Sequence, residues 1–106
     1  MSSTKKPPNR RRAALPREVG YTKSFLKDWD RYYRAGKQDL NRAKEVMMLL
    51  IDNSAPLGPE WLEHSLGGDY AGTKECHIGG DFLLIYELSN SKVVFYRIGT
   101  HSELFE

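Results

Sequence analysis

Residues 73–98, TKECHIGGDFLLIYELSNSKVVFYRI, decide the fold of this 106-residue chain. Three β-forming segments lie within the stretch, at 73–78, 82–88 and 93–98. Gly79-Gly80 separates the first two segments, and the polar stretch 89–91 separates the second from the third. Short connections of this composition are typical of β-hairpins. The stretch therefore predicts a meander of three antiparallel strands.

Two amphipathic helices are predicted upstream of the meander. Between residues 22 and 35, apolar side chains recur at i, i+4, i+7 and i+8 and form one stripe. Gly36 is suited to end this helix in a left-handed conformation. A second helix begins after Asp39, a suitable N-cap, and ends near Asn53. Two helices covering one face of a small, mainly antiparallel sheet give an α+β fold, with the other face left for a ligand.

The remaining segments connect these elements or precede them. Residues 19–21 form either a short first strand or simply the entry to the fold. Residues 53–70 are predicted to be a connecting loop, and 99–106 a short tail. Loops as long as 53–70 are uncommon in small domains and are often functional. Residues 1–17 contain six Lys and Arg, no Asp or Glu and few apolar side chains. We therefore expect a disordered basic tail before a domain at 18–106.

Charge and composition restrict the class of protein. The net charge is +2, yet residues 18–106 carry 10 Lys/Arg against 14 Asp/Glu, so the positive charge belongs to the tail. A basic tail suits an anionic partner such as nucleic acid, and a solvated terminus without a partner is the alternative. The single cysteine, Cys76, excludes an intramolecular disulfide and suits a reducing cytoplasm. The longest apolar run, 46–51, is too short to span a membrane.

Several polar side chains have the chemistry needed to cleave RNA without a metal. Strand alternation puts Glu75 and His77 on one face, and it groups Arg97 with Val93 and Phe95 on one face of the last strand. Cleavage by the ribose 2′-oxygen needs a base, an acid for the leaving 5′-oxygen and positive charge at phosphorus. Histidine suits the first two roles and arginine the third. Ordinary surface polar residues are the alternative interpretation.

A metal site would be a competing use of the same residues. The sequence has no closely spaced His/Cys signature, and Cys76 points to the opposite face from His77. Phosphate-binding loops, dinucleotide-binding turns and serine nucleophile motifs are also missing from the sequence. We therefore expect neither a metal ion nor a cofactor.

From residue 21 to the C-terminus, the sequence resembles the YafQ branch of the RelE/ParE toxin superfamily. The segments that carry the resemblance follow one another in the family's order: MMLLIDN (47–53) with PL (56–57), EHSLGG (63–68), GTKECH (72–77), DFLLIY (81–86) and RIGTHSELF (97–105). Each segment alone has low specificity, whereas the ordered set is fairly specific.

The resemblance implies the toxin of a type II toxin–antitoxin system. Such a toxin is an endoribonuclease that cuts mRNA at the ribosomal A site and so inhibits translation and growth. The resemblance further implies a cognate DinJ/RelB-like antitoxin that blocks the toxin. The cysteine content and the short apolar runs favour a cytoplasmic protein that does not bind membranes, and the lack of a coiled-coil pattern favours a monomer when the toxin is free.

The family's functional positions can be carried over residue by residue. The matching catalytic positions are His64, His77, Asp81, Arg97 and His101. The matching substrate-binding positions are Phe105, Glu75 and Phe82, the last of which is tryptophan in the YafQ type. The resemblance makes His101 the general acid and Arg97 the group that stabilises the phosphorane. The other three catalytic residues share base action and positioning, and Phe105 stacks on a base or orients His101.

Two alternatives keep the fold and change the activity. One is a ParE-like toxin that inhibits DNA gyrase, and the other is a degenerate toxin that only binds its antitoxin. One geometric expectation concerns the turn at 79–81. We expect a glycine bulge that pairs His77 with Asp81 on one face, or else an Asp81 at the sheet tip.

Overall fold

A computed structural model describes residues 14–106, which form one sheet and three α-helices. The strands are β1 (Glu18–Tyr21), β2 (His64–Ser65), β3 (Lys74–Gly79), β4 (Phe82–Leu88) and β5 (Lys92–Thr100), and the helices are α1 (Lys23–Ala35), α2 (Leu40–Asp52) and α3 (His101–Phe105). The sheet order is β1-β5-β4-β3-β2. β1 runs parallel to β5, and every other pair is antiparallel. The predicted α+β class and the three-stranded meander are confirmed.

The two long helices begin and end at the predicted residues. The Thr22 hydroxyl accepts a hydrogen bond from the Phe25 amide at the start of α1, and Gly36 ends that helix with a φ of 67°. Asp39 caps α2 in the same way, and Asn53 ends it with a φ of 60°. Each helix has 13 residues. None of the helices within residues 14–106 combines the length and the apolar character that a membrane span requires.

The main core lies between the sheet and the helices α1 and α2. From α1 and α2 it takes Phe25, Val46 and Leu50. From β3, β4 and β5 it takes Cys76, Ile78, Leu84, Tyr86, Val93, Phe95 and Ile98. Burial of these side chains stabilises the fold by ~25 cal/mol for each Å² of apolar surface removed from water.

The opposite face of the sheet is partly covered, although it was expected to be open. Leu104 of α3 packs on Leu83 and Ile85, with Leu66 and Tyr70 at the border of this second cluster. The cover exists because residues 101–105 form a helix instead of the predicted tail. A capping box starts this helix: the Thr100 hydroxyl accepts from the Glu103 amide, and the Glu103 carboxylate accepts from the Thr100 amide.

The connection at 53–70 also has more structure than a loop. Single 3₁₀ turns lie at Pro59–Trp61 and Gly68–Tyr70, and between them β2 pairs with β3. Trp61 is buried in the main core and anchors the segment. Sequence periodicity cannot reveal a two-residue strand, because its pairing depends on β3, which lies further along the chain.

The residues just before β1 contact the domain. The Arg17 guanidinium donates to the carbonyl oxygens of Leu50 at 2.7 Å and Ser89 at 2.6 Å. The Asn53 side-chain amide donates to the Leu15 carbonyl at 2.9 Å. The predicted basic tail therefore ends in residues that belong to the folded body. Residues 1–13, which hold the rest of that tail, lie outside the described residues.

Candidate active site

Four neighbouring strands bring distant residues into one row across the sheet. Glu75 in β3 pairs with His64 in β2 on one side and with Ile85 in β4 on the other, and Ile85 pairs with Arg97 in β5. Directly opposed residues project from the same face. His64, Glu75 and Arg97 therefore share the face that lies away from α1 and α2. His77, two residues beyond Glu75, joins them by alternation.

A β-bulge turns Arg97 toward this face. Ile85 pairs with Arg97 but Tyr86 pairs with Phe95, so one extra residue, Tyr96, is inserted in β5. The insertion shifts the alternation by one position, and Ile98 consequently joins Phe95 in the main core. The expectation that Arg97 shares a face with Val93 and Phe95 is therefore wrong. Strict alternation would have directed the arginine toward the helices.

The centre of the site is a buried carboxylate held by two imidazoles. The Glu75 side chain is only 7% exposed, and its Oε2 lies 3.2 Å from His64 Nε2 and 3.3 Å from His77 Nε2. The two histidine rings lie 6.1 Å apart, centroid to centroid. A carboxylate taken out of water needs such partners, because its desolvation is costly. Glu75 is thus more central to the site than its sequence assignment to substrate binding suggested.

Hydrogen-bonding rules constrain the protons in this group. His64 Nδ1 lies 3.0 Å from the Leu62 carbonyl oxygen, which can only accept, so Nδ1 carries a proton. With Nδ1 directed at this carbonyl, Nε2 is the His64 nitrogen that faces the Glu75 carboxylate. Two imidazoles and a carboxylate within hydrogen-bonding distance of one another are groups that general acid–base chemistry uses.

The backbone next to His64 is strained. Leu62 has a φ of 51°, in the left-handed region that non-glycine residues seldom occupy. Such conformations cost on the order of 1–2 kcal/mol and persist only where neighbouring contacts enforce them. Two contacts enforce this one: Trp61 is buried in the core, and the Glu63 carboxylate accepts a hydrogen bond from the Tyr86 hydroxyl. In this conformation the Leu62 carbonyl oxygen lies 3.0 Å from His64 Nδ1.

Arg97 is held by a carboxylate from helix α1. Its Nε and Nη2 atoms donate to Asp28 Oδ2 at 2.7 Å and Asp28 Oδ1 at 3.1 Å. The hydrogen bond to Asp28 raises the pKa of Arg97, and the nearby Tyr70 acts in the same direction more weakly. The arginine side chain remains 29% exposed. Asp28 was not identified from the sequence, where it is one of several charged residues on the polar faces of α1.

His101 begins α3 beside the hairpin turn between β3 and β4. Its backbone amide donates to the Asp81 carbonyl at 3.0 Å. Gly80 and Asp81 form a two-residue turn, and a bulge between His77 and Gly79 shifts the register. His77 therefore pairs with Leu83, and its expected pairing with Asp81 is wrong. Asp81 lies exposed at the tip of the sheet, which was the alternative expectation.

An aromatic group adjoins His101. The Phe105 ring lies 5.1 Å from the His101 ring and 5.4 Å from the Tyr70 ring, centroid to centroid. The Tyr70 hydroxyl donates to the Leu104 carbonyl at 3.3 Å, which ties the 53–70 segment to α3. Tyr70 was not identified from the sequence. The available signal was an aromatic residue in a glycine-rich segment that precedes a strand.

Phe82 does not belong to this face. It is 2% exposed and packs edge-on against Tyr32 of α1, with ring centroids 4.9 Å apart. Alternation along β4 puts Phe82 on the same face as Leu84 and Tyr86, so its side chain lies in the main core. The predicted substrate contact is therefore replaced by a packing role.

The described residues also contain a group that can hold a metal ion, which the sequence reasoning did not expect. One ligand atom from each of His64, Glu75 and His77 lies within 4.8 Å of the others. Two imidazoles and a carboxylate form a donor set that zinc and similar ions accept. The sequence missed it because His64 comes from a segment that was predicted to be a loop.

Comparison with known proteins shows the family. A family model described as bacterial toxin of type II toxin-antitoxin system, YafQ, matches residues 17–106. The mRNA interferase toxin YafQ of Escherichia coli is 35% identical over 91 residues, which cover 86% of this chain and 98% of that relative. The toxin in the E. coli DinJ-YafQ complex is 34% identical, with a TM-score of 0.79 over 87% of this chain and 100% of that chain. A metal-bound toxin from Helicobacter pylori is 31% identical, with a TM-score of 0.71 over 83% of this chain and 98% of that chain. The chain therefore belongs to the YafQ family of bacterial toxins of type II toxin–antitoxin systems.

Proposed function

We propose that the chain is an endoribonuclease that cleaves mRNA bound at the ribosomal A site. The observation that carries this proposal is the buried Glu75 carboxylate between two imidazoles, on the same sheet face as Arg97. This arrangement brings groups that can exchange protons onto the same sheet face as the positive charge of Arg97. The name of the E. coli relative, an mRNA interferase, points to the same substrate class.

The reaction is a transesterification at one phosphodiester. The ribose 2′-oxygen attacks phosphorus and loses its proton to the His64–Glu75–His77 group, with Asp81 helping to position the substrate. The new bond joins the 2′-oxygen to phosphorus, and the bond from phosphorus to the 5′-oxygen breaks. His101 donates a proton to that leaving oxygen. The products are a 2′,3′-cyclic phosphate and a 5′-hydroxyl end.

Arg97 and Phe105 complete the proposed mechanism. The guanidinium of Arg97 stabilises the negative charge that builds on the phosphorane oxygens, as a fork-shaped donor does for phosphate. Phe105 stacks on a base next to the cleaved bond and orients the ring of His101. No step requires a metal ion, so we propose that catalysis is metal-independent.

The proposed partners are mRNA on the ribosome and a cognate antitoxin. A solved E. coli relative forms a complex with the antitoxin DinJ. An antitoxin of the DinJ/RelB type would keep this toxin inactive in the cytoplasm. Exposed apolar side chains on α1 and α2, Leu26 and Met48 among them, suit contact with another protein. Growth arrest caused by the toxin should be relieved by co-expression of its antitoxin.

The proposed function is tested by mRNA cleavage on translating ribosomes in the presence of EDTA, comparing the native protein with His101→Gln. We expect cleavage by the native protein alone. His101 is 59% exposed, so the substitution should leave the unfolding midpoint almost unchanged. No cleavage by the folded native protein would refute the proposal, and inhibition of gyrase supercoiling by that same protein would favour the ParE-like activity.

A further inference from the structure

Side chains of helix α1 bind the backbone of β5 beyond the point where its pairing with β1 ends. The pairing of β1 with β5 stops at Phe95, which leaves the later amides of β5 without a neighbouring strand on that side. The Ile98 amide instead donates to Asp28 Oδ2 at 3.2 Å, and the Thr100 amide donates to the Tyr32 hydroxyl at 3.2 Å. Asp28 thus satisfies the Ile98 amide, a backbone donor without a strand partner at this buried edge, whereas Tyr32 shares the Thr100 amide with Glu103.

Asp28 receives more donors than backbone capping requires. It accepts from the Ile98 amide, from two nitrogens of Arg97 and, at 3.4 Å, from Arg31. An ionised carboxylate has about four acceptor positions, so Asp28 is saturated. Its side chain is 6% exposed, whereas that of Arg97 is 29% exposed. Substrate can therefore reach the arginine, but it has little access to the aspartate.

We propose that Asp28 is a positioning residue for the ribonuclease reaction, acting through Arg97. This inference rests on the proposed function. Because Asp28 also binds the Ile98 amide, it is fixed to the backbone of the strand that carries Arg97. The arginine is consequently held in one orientation at the edge of the site before the substrate arrives. Preorganised charge of this kind stabilises a transition state without a cost of reorganisation.

Asp28→Asn is the informative substitution. Asparagine keeps an oxygen that can accept from the Ile98 amide, but it loses the charge and one of the two acceptors that hold the guanidinium. We expect kcat to fall roughly 10–100-fold with little change in KM, because the lost orientation matters in the transition state. Asp30→Asn is the matched control. Asp30 lies on the same helix and forms an exposed ion pair with Arg34, so kcat and KM should stay at native values.

A double-mutant cycle separates positioning from general stability. If Asp28 acts through Arg97, then Asp28→Asn should not lower kcat further in a protein that already carries Arg97→Gln. The inference would be overturned if the decreases in kcat of Asp28→Asn and Arg97→Gln were fully additive in free energy. A folded Asp28→Asn protein with native kcat would also overturn it. Lack of cleavage by the native protein would instead refute the proposed function, so the two failures can be distinguished.

Arg97→Lys covers the case in which Asp28→Asn does not fold. Lysine keeps the positive charge but cannot reproduce the two-nitrogen contact with Asp28. If orientation of the guanidinium by Asp28 is what matters, the folded Arg97→Lys protein should lose kcat and retain KM. Native kcat in this variant would overturn the inference, because a freely rotating point charge would then suffice.

Discussion

The hydroxyl of Tyr86, a buried residue at the centre of the sheet, donates a hydrogen bond to Glu63, the residue immediately before His64. The bond crosses from the core to the segment that carries a proposed catalytic histidine. Because Glu63 is held inward, the neighbouring His64 projects to the other side and meets Glu75. A hydrogen bond from the core therefore helps to fix the geometry of the site.

Replacement of Tyr86 by phenylalanine should loosen this connection. The Glu63 carboxylate would lose its partner while still partly buried, which costs ~1–3 kcal/mol of unfolding free energy. Cleavage should also fall, since the strained Leu62 would lose one of the contacts that enforce it. Urea unfolding and the ribosome cleavage assay measure the two effects. Tyr33→Phe, at an exposed position on α1, is the control and should change neither. Native stability in Tyr86→Phe would contradict this account.

The free energy of unfolding should decrease in alkaline solution. Burial, followed by the negative charge of Glu63, raises the pKa of the Cys76 thiol from 9.0 to about 12. Desolvation also raises the pKa of Tyr86. Above pH 9 the unfolded chain loses the Cys76 proton while the folded protein keeps it. Stability is therefore fully present below pH 9 and is lost as pH rises toward 12.

Cys76→Ala tests whether the raised pKa of Cys76 contributes to this loss of stability in alkaline solution. Urea unfolding of both proteins at pH 8 and pH 10.5 should give a smaller decrease for the variant than for the native protein, because one of the two raised groups is removed. Equal decreases would show that Cys76 ionises as readily in the folded state. The same burial predicts that the folded native protein resists thiol reagents at pH 8.

Metal ions should inhibit the proposed reaction. Ligation at His64, Glu75 and His77 would occupy side chains that the proposed reaction needs free to accept a proton. We expect EDTA to leave cleavage unchanged, and excess Zn²⁺ to reduce it reversibly. Calorimetry with Zn²⁺ should show that His77→Gln weakens binding, while His101→Gln, outside this group, does not. Cleavage that EDTA abolishes would contradict metal independence.

Residues 1–13 should contribute affinity for the ribosome through charge. They include five Lys and Arg and no acid, whereas the other 93 residues carry 11 Lys/Arg and 14 Asp/Glu. Deleting residues 2–13 should weaken ribosome binding and flatten its dependence on salt, since fewer counterions are released. The deletion spares Leu15 and Arg17, which contact the domain. Equal salt slopes for the two proteins would rule out this role.

The sequence by itself determined the local elements. Gly36 and Asp39 predicted where α1 ends and α2 begins, because capping depends on the conformational preferences of single residues. Alternation placed Glu75 and His77 on one face, since the side-chain period of a strand is local as well. The order of motifs from residue 47 to residue 105 was enough to indicate the family. These features require no knowledge of contacts between distant residues.

The tertiary structure alone decided how the site is assembled. The bulge at Tyr96 reversed the expected face of Arg97, and the bulge before Gly79 moved Asp81 to the sheet tip. A bulge depends on what two paired strands must accommodate, which neither strand's own pattern reveals. Asp28 meets Arg97 across 69 positions of sequence. That contact exists because β1 is short and leaves the edge of β5 to a helix, so only the packed fold could specify it.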